Sequence, residues 1–404
     1  MAREIAINIY LFFFGMVFKF FNILFPTKDK VVHVVSFSEN SINIYKEWKR
    51  QEQSCRTIFL LTKSSLTSEF NAIKQDDDQI LQFTPSSPIA FLEGLFHLAT
   101  TKIVLVDNYY GFLANIRFKT EVKCYQLWHA NGAIKRFGLK DPSNKKRSKQ
   151  ALIRFQKVYK QFHQVIVGSD KMKEIFKEAF NLNENHFLPI GIPRTDVFFH
   201  EESIYKKKER LLQQYPELRT KKLILYAPTF RDENLETYEL KIDLELLYQD
   251  LRDSDYLILL KLHPAIRNTV TIDDSMKDFV YDFSHFANTN ELLFITDILV
   301  TDYSSIPFEF SLLNKPMIFY PYDLNHYKES RGFWTEYKEL VPGPVVSSTN
   351  ELIEVIRQQS FDYHLINTFN HEWNTNNDGK ASYRFVKYLQ ADLHSEHKKV
   401  ERNQ

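Results

Sequence analysis

Glycine is scarce: the chain has ten in 404 residues, and none stands in a G-x-G-x-x-G or G-x-x-x-x-G-K-[ST] arrangement. Both fingerprints need glycine to bring backbone N–H groups against phosphate, so standard dinucleotide and P-loop sites are excluded, and Gly379-Lys380 lacks the upstream glycine of a P-loop. Cysteine is scarcer still. Cys55 and Cys124 show no CxxC spacing and cannot build a disulfide framework, which fits a reducing compartment and argues against secretion. Neither sign of charge dominates: 52 Lys and Arg against 51 Asp and Glu leave a net charge of +1. That excludes a chain that coats nucleic acid broadly, and 44% hydrophobic residues exclude a disordered one. No His-x-x-x-His or Cys/His cluster marks a metal. Asp76-Asp77-Asp78 precedes a possible strand instead of following one and reads as a turn.

What is present is an alternation of short apolar runs with amphipathic stretches, the pattern of parallel α/β layers. The runs Val31–Ser36, Thr57–Thr62, Lys102–Asp107, Lys123–His129 and Gln164–Ser169 are expected to form one sheet, with helices such as Ser41–Gln51 and Pro88–Thr100 between them. Leu223–Thr229, Tyr256–His263, Asp297–Tyr303 and Pro316–Asp323 are expected to form a second. Length alone exceeds what one core organises. The expected layout is an apolar helix over 1–26, Rossmann-like domains over 27–195 and 196–375, and a terminal segment over 376–404. In that last segment Ala381–His397 is expected to return to the first domain, and Ser395–Gln404 reads as a polar tail.

Residues Ile5–Phe25 form an apolar run long enough to span a bilayer. Glu4, Asn8, Gly15, Lys19 and Asn22 nevertheless project into one narrow stripe at helical periodicity, which suits a helix lying in the membrane interface. No small-residue cleavage site follows before Pro26. Between Lys135 and Lys160 stand ten basic residues and one acid, Asp141, the strongest local charge asymmetry in the chain and a candidate for anionic lipid. RNA would be the competing partner, but no RNP-like aromatic motif accompanies the run.

Ligands of open parallel sheets bind beyond the carboxyl ends of strands, so residues there carry the chemistry. His129 ends one run, followed by Ala130-Asn131-Gly132-Ala133, whose Asn-Gly turn suits close approach of an anion. His263 ends another after Lys261-Leu262, and period two places Lys261 and His263 on one face, fit to hold a diphosphate. Ser304-Ser305 open a helix whose N-terminus suits phosphate or ribose oxygens, with Glu309 as acceptor for a ribose hydroxyl pair. Pro228-Thr229 with Arg231, and Arg194 after a Gly191-Ile192-Pro193 turn, supply guanidinium forks for phosphate. Each also admits a plain reading as a turn, a capped helix or a solvated arginine. Histidines ending runs in two separate domains are expected to meet in one cleft.

Together Trp128-His129, Gly191-Ile192-Pro193-Arg194, Tyr226-Ala227-Pro228-Thr229-Phe230-Arg231, Lys261-Leu262-His263-Pro264, Thr301-Asp302-Tyr303-Ser304-Ser305, Lys315-Pro316 and Arg331-Gly332 resemble the CDP-glycerol glycerophosphotransferase family. Within it, Trp128-His129-Ala130-Asn131-Gly132 followed by Lys135-Arg136-Phe137-Gly138 is more similar to the wall teichoic acid primases (TagB/TarB) than to the polymerases, which typically carry glycine directly after the histidine and a further N-terminal domain. The resemblance implies an α/β, GT-B-like fold with two Rossmann-like domains facing a central cleft. It also implies a CDP-glycerol donor and, as acceptor, an undecaprenyl-diphosphate-linked ManNAc-GlcNAc disaccharide that receives one glycerol phosphate. Carried over by motif, the donor contacts are His129 to Ala133, Arg194, Pro228, Thr229, Lys261 to His263, Ser304, Ser305 and Glu309. His129 is expected to act as general base, while His263 with Lys261, Arg194 and Arg231 stabilises the leaving CMP; the reverse assignment of the histidines stays open. No cofactor and no nucleic acid partner are expected. A divalent ion and a homo-oligomer stay open, and the expected location is the cytoplasmic face of the membrane, peripheral or monotopic. The alternatives are a glycerol-phosphate polymerase, a GT-B nucleotide-sugar glycosyltransferase, and a non-catalytic lipid- or RNA-binding protein.

Overall fold

The computed structural model describes residues 2–52, 55–231, 239–263, 266 and 270–395, so Pro264 and the tail beyond Ser395 lie outside the described residues. Among the described residues, twelve strands fall into two all-parallel sheets. The first has seven: β1 Lys28–Val35, β2 Arg56–Leu61, β3 Gln79–Gln82, β4 Thr101–Val106, β5 Lys123–Gln126, β6 Gln164–Ile166 and β7 Phe187–Leu188, in the order β3-β2-β1-β4-β5-β6-β7. The second has five: β8 Lys222–Tyr226, β9 Tyr256–Leu260, β10 Val280–Asp282, β11 Ile298–Thr301 and β12 Met317–Phe319, in the order β10-β9-β8-β11-β12. Central strands such as Ile58–Leu61 and Leu257–Leu260 are buried along their whole length, as strands covered by helices on both faces must be.

The strands end earlier than the apolar runs suggest. β5 stops at Gln126, β8 at Tyr226 and β9 at Leu260, so His129, Thr229 and His263 each lie three residues past a strand. Leu127, Ala227 and Leu262 are buried in loops above the sheet, and burial in a loop looks like strand in a hydropathy pattern. Lys261 and His263 therefore do not share a strand face.

The chain divides into two compact units. The first comprises 1–130, 137–196 and 375–404; the second comprises 131–136 and 197–374. The helix Ala381–Ser395 packs in the first unit, where the Asp196 carboxylate accepts from the N–H groups of Ala381 (2.9 Å) and Ser382 (2.8 Å) at its N-terminus. Phe385, Val386 and Leu389 are buried there.

Helix α1 (Ala2–Leu24) lies on the first unit, burying Leu11, Phe14 and Phe18, with Phe14 stacked on Phe112 at 4.7 Å. Part of its polar stripe turns toward the protein. Glu4 pairs with Arg154 (3.3 Å), Asn22 donates to the Arg117 carbonyl (3.3 Å), and a side chain at Gly15 would meet the Asn115 carbonyl at 2.7 Å. The outward face is apolar instead, with Ile5, Ile9, Phe12, Phe13, Met16, Phe20, Ile23 and Leu24 each at least half exposed. Glu4, Gly15 and Asn22 thus form a seam against the protein, where covered polar groups need partners, while Asn8 and Lys19 of the same stripe stay exposed.

Candidate functional site

In the first sheet the strand order reverses between β1 and β4, the place where open α/β sheets bind ligands. Just past β4, the Asp107 carboxylate accepts from the backbone N–H of Ser36 (2.9 Å) and Phe37 (2.8 Å) and from the Tyr110 hydroxyl (2.6 Å). This pins the loop after β1. Phe37 in that loop stacks on the His129 imidazole with centroids 4.4 Å apart, and Trp128 stacks on the same ring at 4.5 Å. His129 Nδ1 lies 3.1 Å from the Asp107 carbonyl oxygen. A carbonyl only accepts, so Nδ1 carries the hydrogen and Nε2 keeps its lone pair. Burial, aided by Arg194 and Lys63 and opposed by the Asp107 carbonyl and Glu39, lowers the pKa of His129 to about 4. At neutral pH this is an uncharged imidazole with one acceptor nitrogen, the form a general base requires.

Two further histidines of this unit, His33 and His97, are also held neutral, both lowered to about 3 chiefly by burial. A histidine whose folded pKa lies below its unfolded value near 6.5 gives stability that is complete above about 6.5 and lost as the pH falls toward the folded value. The melting temperature is therefore expected to drop between about pH 6.5 and 5, before most carboxylates titrate. A flat melting curve over that interval, measured calorimetrically, would contradict neutral burial.

Trp128 adopts φ = 55°, a left-handed conformation uncommon for so bulky a residue. It persists because its surroundings over-determine it. The Trp128 N–H donates to Gln126 Oε1 (2.8 Å), its carbonyl accepts from Asn40 Nδ2 (3.0 Å), and its ring packs on Phe137, Phe176 and Phe180. Arg194 lies in the same unit, donating from Nη1 to the His129 carbonyl and standing 3.6 Å from Glu39.

The residues after His129 do something other than expected. Asn131 is fully buried and donates to Asn374 Oδ1, Ala130 and Ala133 are buried, and a side chain on Gly132 would meet the Phe308 ring at 2.5 Å. The glycine makes room for a phenylalanine instead of a phosphate. Sequence spacing could not show this, because Phe308 lies far along the chain.

In the second sheet the reversal falls between β8 and β11. Asp302 after β11 accepts at one oxygen from the Thr229 N–H and hydroxyl (both 2.8 Å), and its other oxygen pairs with Arg231 at 3.0 Å. Asp323 grips the same guanidinium at 2.8 Å from Nε, and the rings of Tyr303, Tyr322 and Tyr327 flank it at 4.8 to 5.0 Å. Burial opposes the Arg231 charge, but Asp323 and Asp302 outweigh it and raise its pKa. Arg231 and Thr229 are thereby corrected from phosphate ligands to a brace between loops, beside a buried Pro228. Lys261 is corrected likewise: its ammonium donates to the carbonyls of Ser284 (2.9 Å) and Phe286 (2.7 Å), and burial lowers its pKa. Leu262 is buried. Glu309 is also buried, at 3% exposure.

His263 is exposed, with its ring 4.3 Å from Phe230 of the loop after β8. Ser304 and Ser305 are half-buried; Ser304 Oγ accepts from the Ile306 N–H (3.2 Å) at the start of the five-residue helix Ile306–Phe310. One turn of helix sums few peptide dipoles, so the hydroxyls matter more here than the helix end. His263, Ser304 and Ser305 are the ligand-facing candidates of this unit. Phe37, Asn40, Asp107, Asp302 and Asp323 were not singled out from sequence, because their partners lie far along the chain.

Residues 17–391 match the family model described as CDP-Glycerol:Poly(glycerophosphate) glycerophosphotransferase. The teichoic acid glycerol-phosphate primase of Bacillus subtilis strain 168 is 36% identical over 96% of this chain and 98% of its own length. The teichoic acid poly(ribitol-phosphate) polymerase of Bacillus spizizenii is 38% identical over 72% of this chain and 47% of its own length. The structure of the wall teichoic acid polymerase TagF, 22% identical, superposes with a TM-score of 0.80 over 98% of this chain and 99% of that one, a likeness of fold. The chain belongs to the CDP-glycerol:poly(glycerophosphate) glycerophosphotransferase family and is a transferase.

Proposed function

We propose that this transferase moves one glycerol phosphate from CDP-glycerol to an undecaprenyl-diphosphate-linked ManNAc-GlcNAc disaccharide, releasing CMP, as the priming step of wall teichoic acid synthesis. The observation that carries the reading is the match to a glycerol-phosphate primase, 36% identical over 96% of this chain. An acceptor hydroxyl attacks the phosphorus that bears glycerol. A new P–O bond forms, the bond to the CMP oxygen breaks, and the hydroxyl proton passes to His129 Nε2. Such transfers depend on positioning and charge neutralisation more than on covalent help. Arg194, His263, Ser304 and Ser305 are the groups assigned to the diphosphate and the departing CMP. No cofactor enters the proposal.

The test is reconstitution with CDP-glycerol and a synthetic lipid-linked disaccharide, with and without Mg²⁺, read by product mass. One added unit and one CMP per lipid is the expected result. Many units per lipid would make the enzyme a polymerase, and turnover only with a nucleotide-sugar or CDP-ribitol would reject the donor.

A membrane-borne acceptor suits the exterior of the first unit. The apolar outward face of α1 adjoins the helix Pro88–Ala99, where Ile89 is 83% exposed and Leu92 48%. The exposed Lys145, Lys146, Arg147 and Lys149 belong to the same unit. A buried apolar face with nearby basic residues is how peripheral proteins hold anionic bilayers. Phe13→Asp with Phe20→Asp is expected to abolish co-sedimentation with anionic vesicles while CMP release with a short-chain soluble acceptor persists. Undiminished vesicle binding would reject this face.

A further inference from the structure

Asn40 lies in the first turn of α2 (Ser38–Arg50) and is buried, with 3% exposure. Its side-chain amide is used at both ends. Nδ2 donates to the carbonyls of Trp128 (3.0 Å) and Leu127 (3.4 Å), the two residues that lead into His129. Oδ1 accepts from the Arg194 N–H at 2.8 Å. One turn later on α2, Asn43 Nδ2 donates to the Pro193 carbonyl at 2.9 Å. Pro193 C=O and Arg194 N–H are the two edges of a single peptide group, so α2 grips that plane from both sides. Arg194 then reaches back to the His129 carbonyl through Nη1. The result is a closed circuit of helix, histidine loop and arginine turn, in which Asn40 is the member that touches both loops.

We propose that Asn40 is a positioning residue for the transfer, holding the His129 loop and the Pro193-Arg194 turn in one register so that the imidazole and the guanidinium keep their relative placement. An amide suits this place. The two loops present opposite needs, carbonyl oxygens on one side and an N–H on the other, and a primary amide meets them with two separate atoms, a donor nitrogen and an acceptor oxygen, where a hydroxyl would have to do both from one. The left-handed Trp128 makes the brace necessary, because without a donor on its carbonyl the peptide entering His129 loses one of the bonds that hold it in a costly conformation.

The inference rests on His129 as the base. The groups that face the imidazole are Arg194 from the turn after β7, Glu39 from α2, Lys63 from the loop after β2 and Asp107 from the loop after β4. Asn40→Ala keeps all four of these side chains and removes only the tie between the two loops, so a relaxed loop admits water to the ring.

Asn40→Ala and the isosteric Asn40→Asp, which keeps the acceptor for Arg194 but presents no donor to the two carbonyls, are compared with wild type by CMP release from CDP-glycerol. Turnover is expected to fall roughly 10- to 100-fold in both, as small misplacements of a catalytic group do, with KM for CDP-glycerol changed less than about threefold. In Asn40→Ala the acid limb of kcat/KM is expected to move up toward the ordinary histidine value near 6.5, a change that mere loss of stability does not produce. Turnover within threefold of wild type in both variants, losses confined to KM, or an unmoved acid limb would each overturn the proposal. Failure of both variants to fold would assign Asn40 to the fold alone and overturn it too. His129→Ala separates the two readings. If it retains turnover, the base assignment itself is wrong; if it is inactive while the Asn40 variants behave as wild type, only the positioning role fails.

Discussion

Turnover of His129→Ala is expected to fall by about three orders of magnitude, the usual worth of a positioned general base, while the apparent affinity for CDP-glycerol changes little. The imidazole is stacked on Phe37 and Trp128, its Nδ1–H is committed to the Asp107 carbonyl, and its remaining nitrogen is the one free to take a proton. Because the pKa is pushed down to about 4, wild-type kcat/KM should not lose the base until the pH falls well below 6. Steady-state CMP release across pH 4.5 to 8, on both proteins, checks both statements. A variant within tenfold of wild type would remove His129 from the chemistry.

Asp302→Ala is the second large effect, and it is one of stability. Asp302 is 1% exposed and holds the Thr229 N–H and hydroxyl, the Tyr303 N–H and the Arg231 guanidinium together. Alanine would leave Arg231 half neutralised among three tyrosine rings, and breaking one side of a buried ion pair typically costs about 3–5 kcal/mol. Asp323 stays on the opposite edge of the guanidinium, so the lower end of that range is the expectation. Urea denaturation followed by circular dichroism measures it. A loss below about 1 kcal/mol would mean that the brace is ornamental and return Arg231 to the candidates for phosphate binding.

These two residues mark the limits of sequence reading here. His129 stood out because a histidine at the end of an apolar run is a rare chemical signal at a place where α/β sheets bind ligands. Arg231 stood out for the same reason, but whether a guanidinium faces ligand or a buried carboxylate depends on Asp302 and Asp323, 71 and 92 residues further along. Lys261 fails identically, since its acceptors are backbone carbonyls, which every residue carries. Most strands were legible from apolar runs of five or more residues. β3, β7 and β10 were not placed in a sheet, because they are only four, two and three residues long and no longer apolar run was read around them. For α1, amphipathicity revealed a polar stripe but not that Glu4, Gly15 and Asn22 in it meet protein, because a helical wheel shows which residues share a side and not what that side touches.

The return of Ala381–Ser395 to the first unit has a consequence for synthesis. On a ribosome the first seven strands emerge long before the helix that covers Tyr125 and seats its own N-terminus on Asp196. Chains generally fold domain by domain as they are made, yet this half must wait, part of its apolar surface bare, until translation of the other half is finished. Nascent chains stalled before residue 375 should consequently be the ones that recruit chaperones.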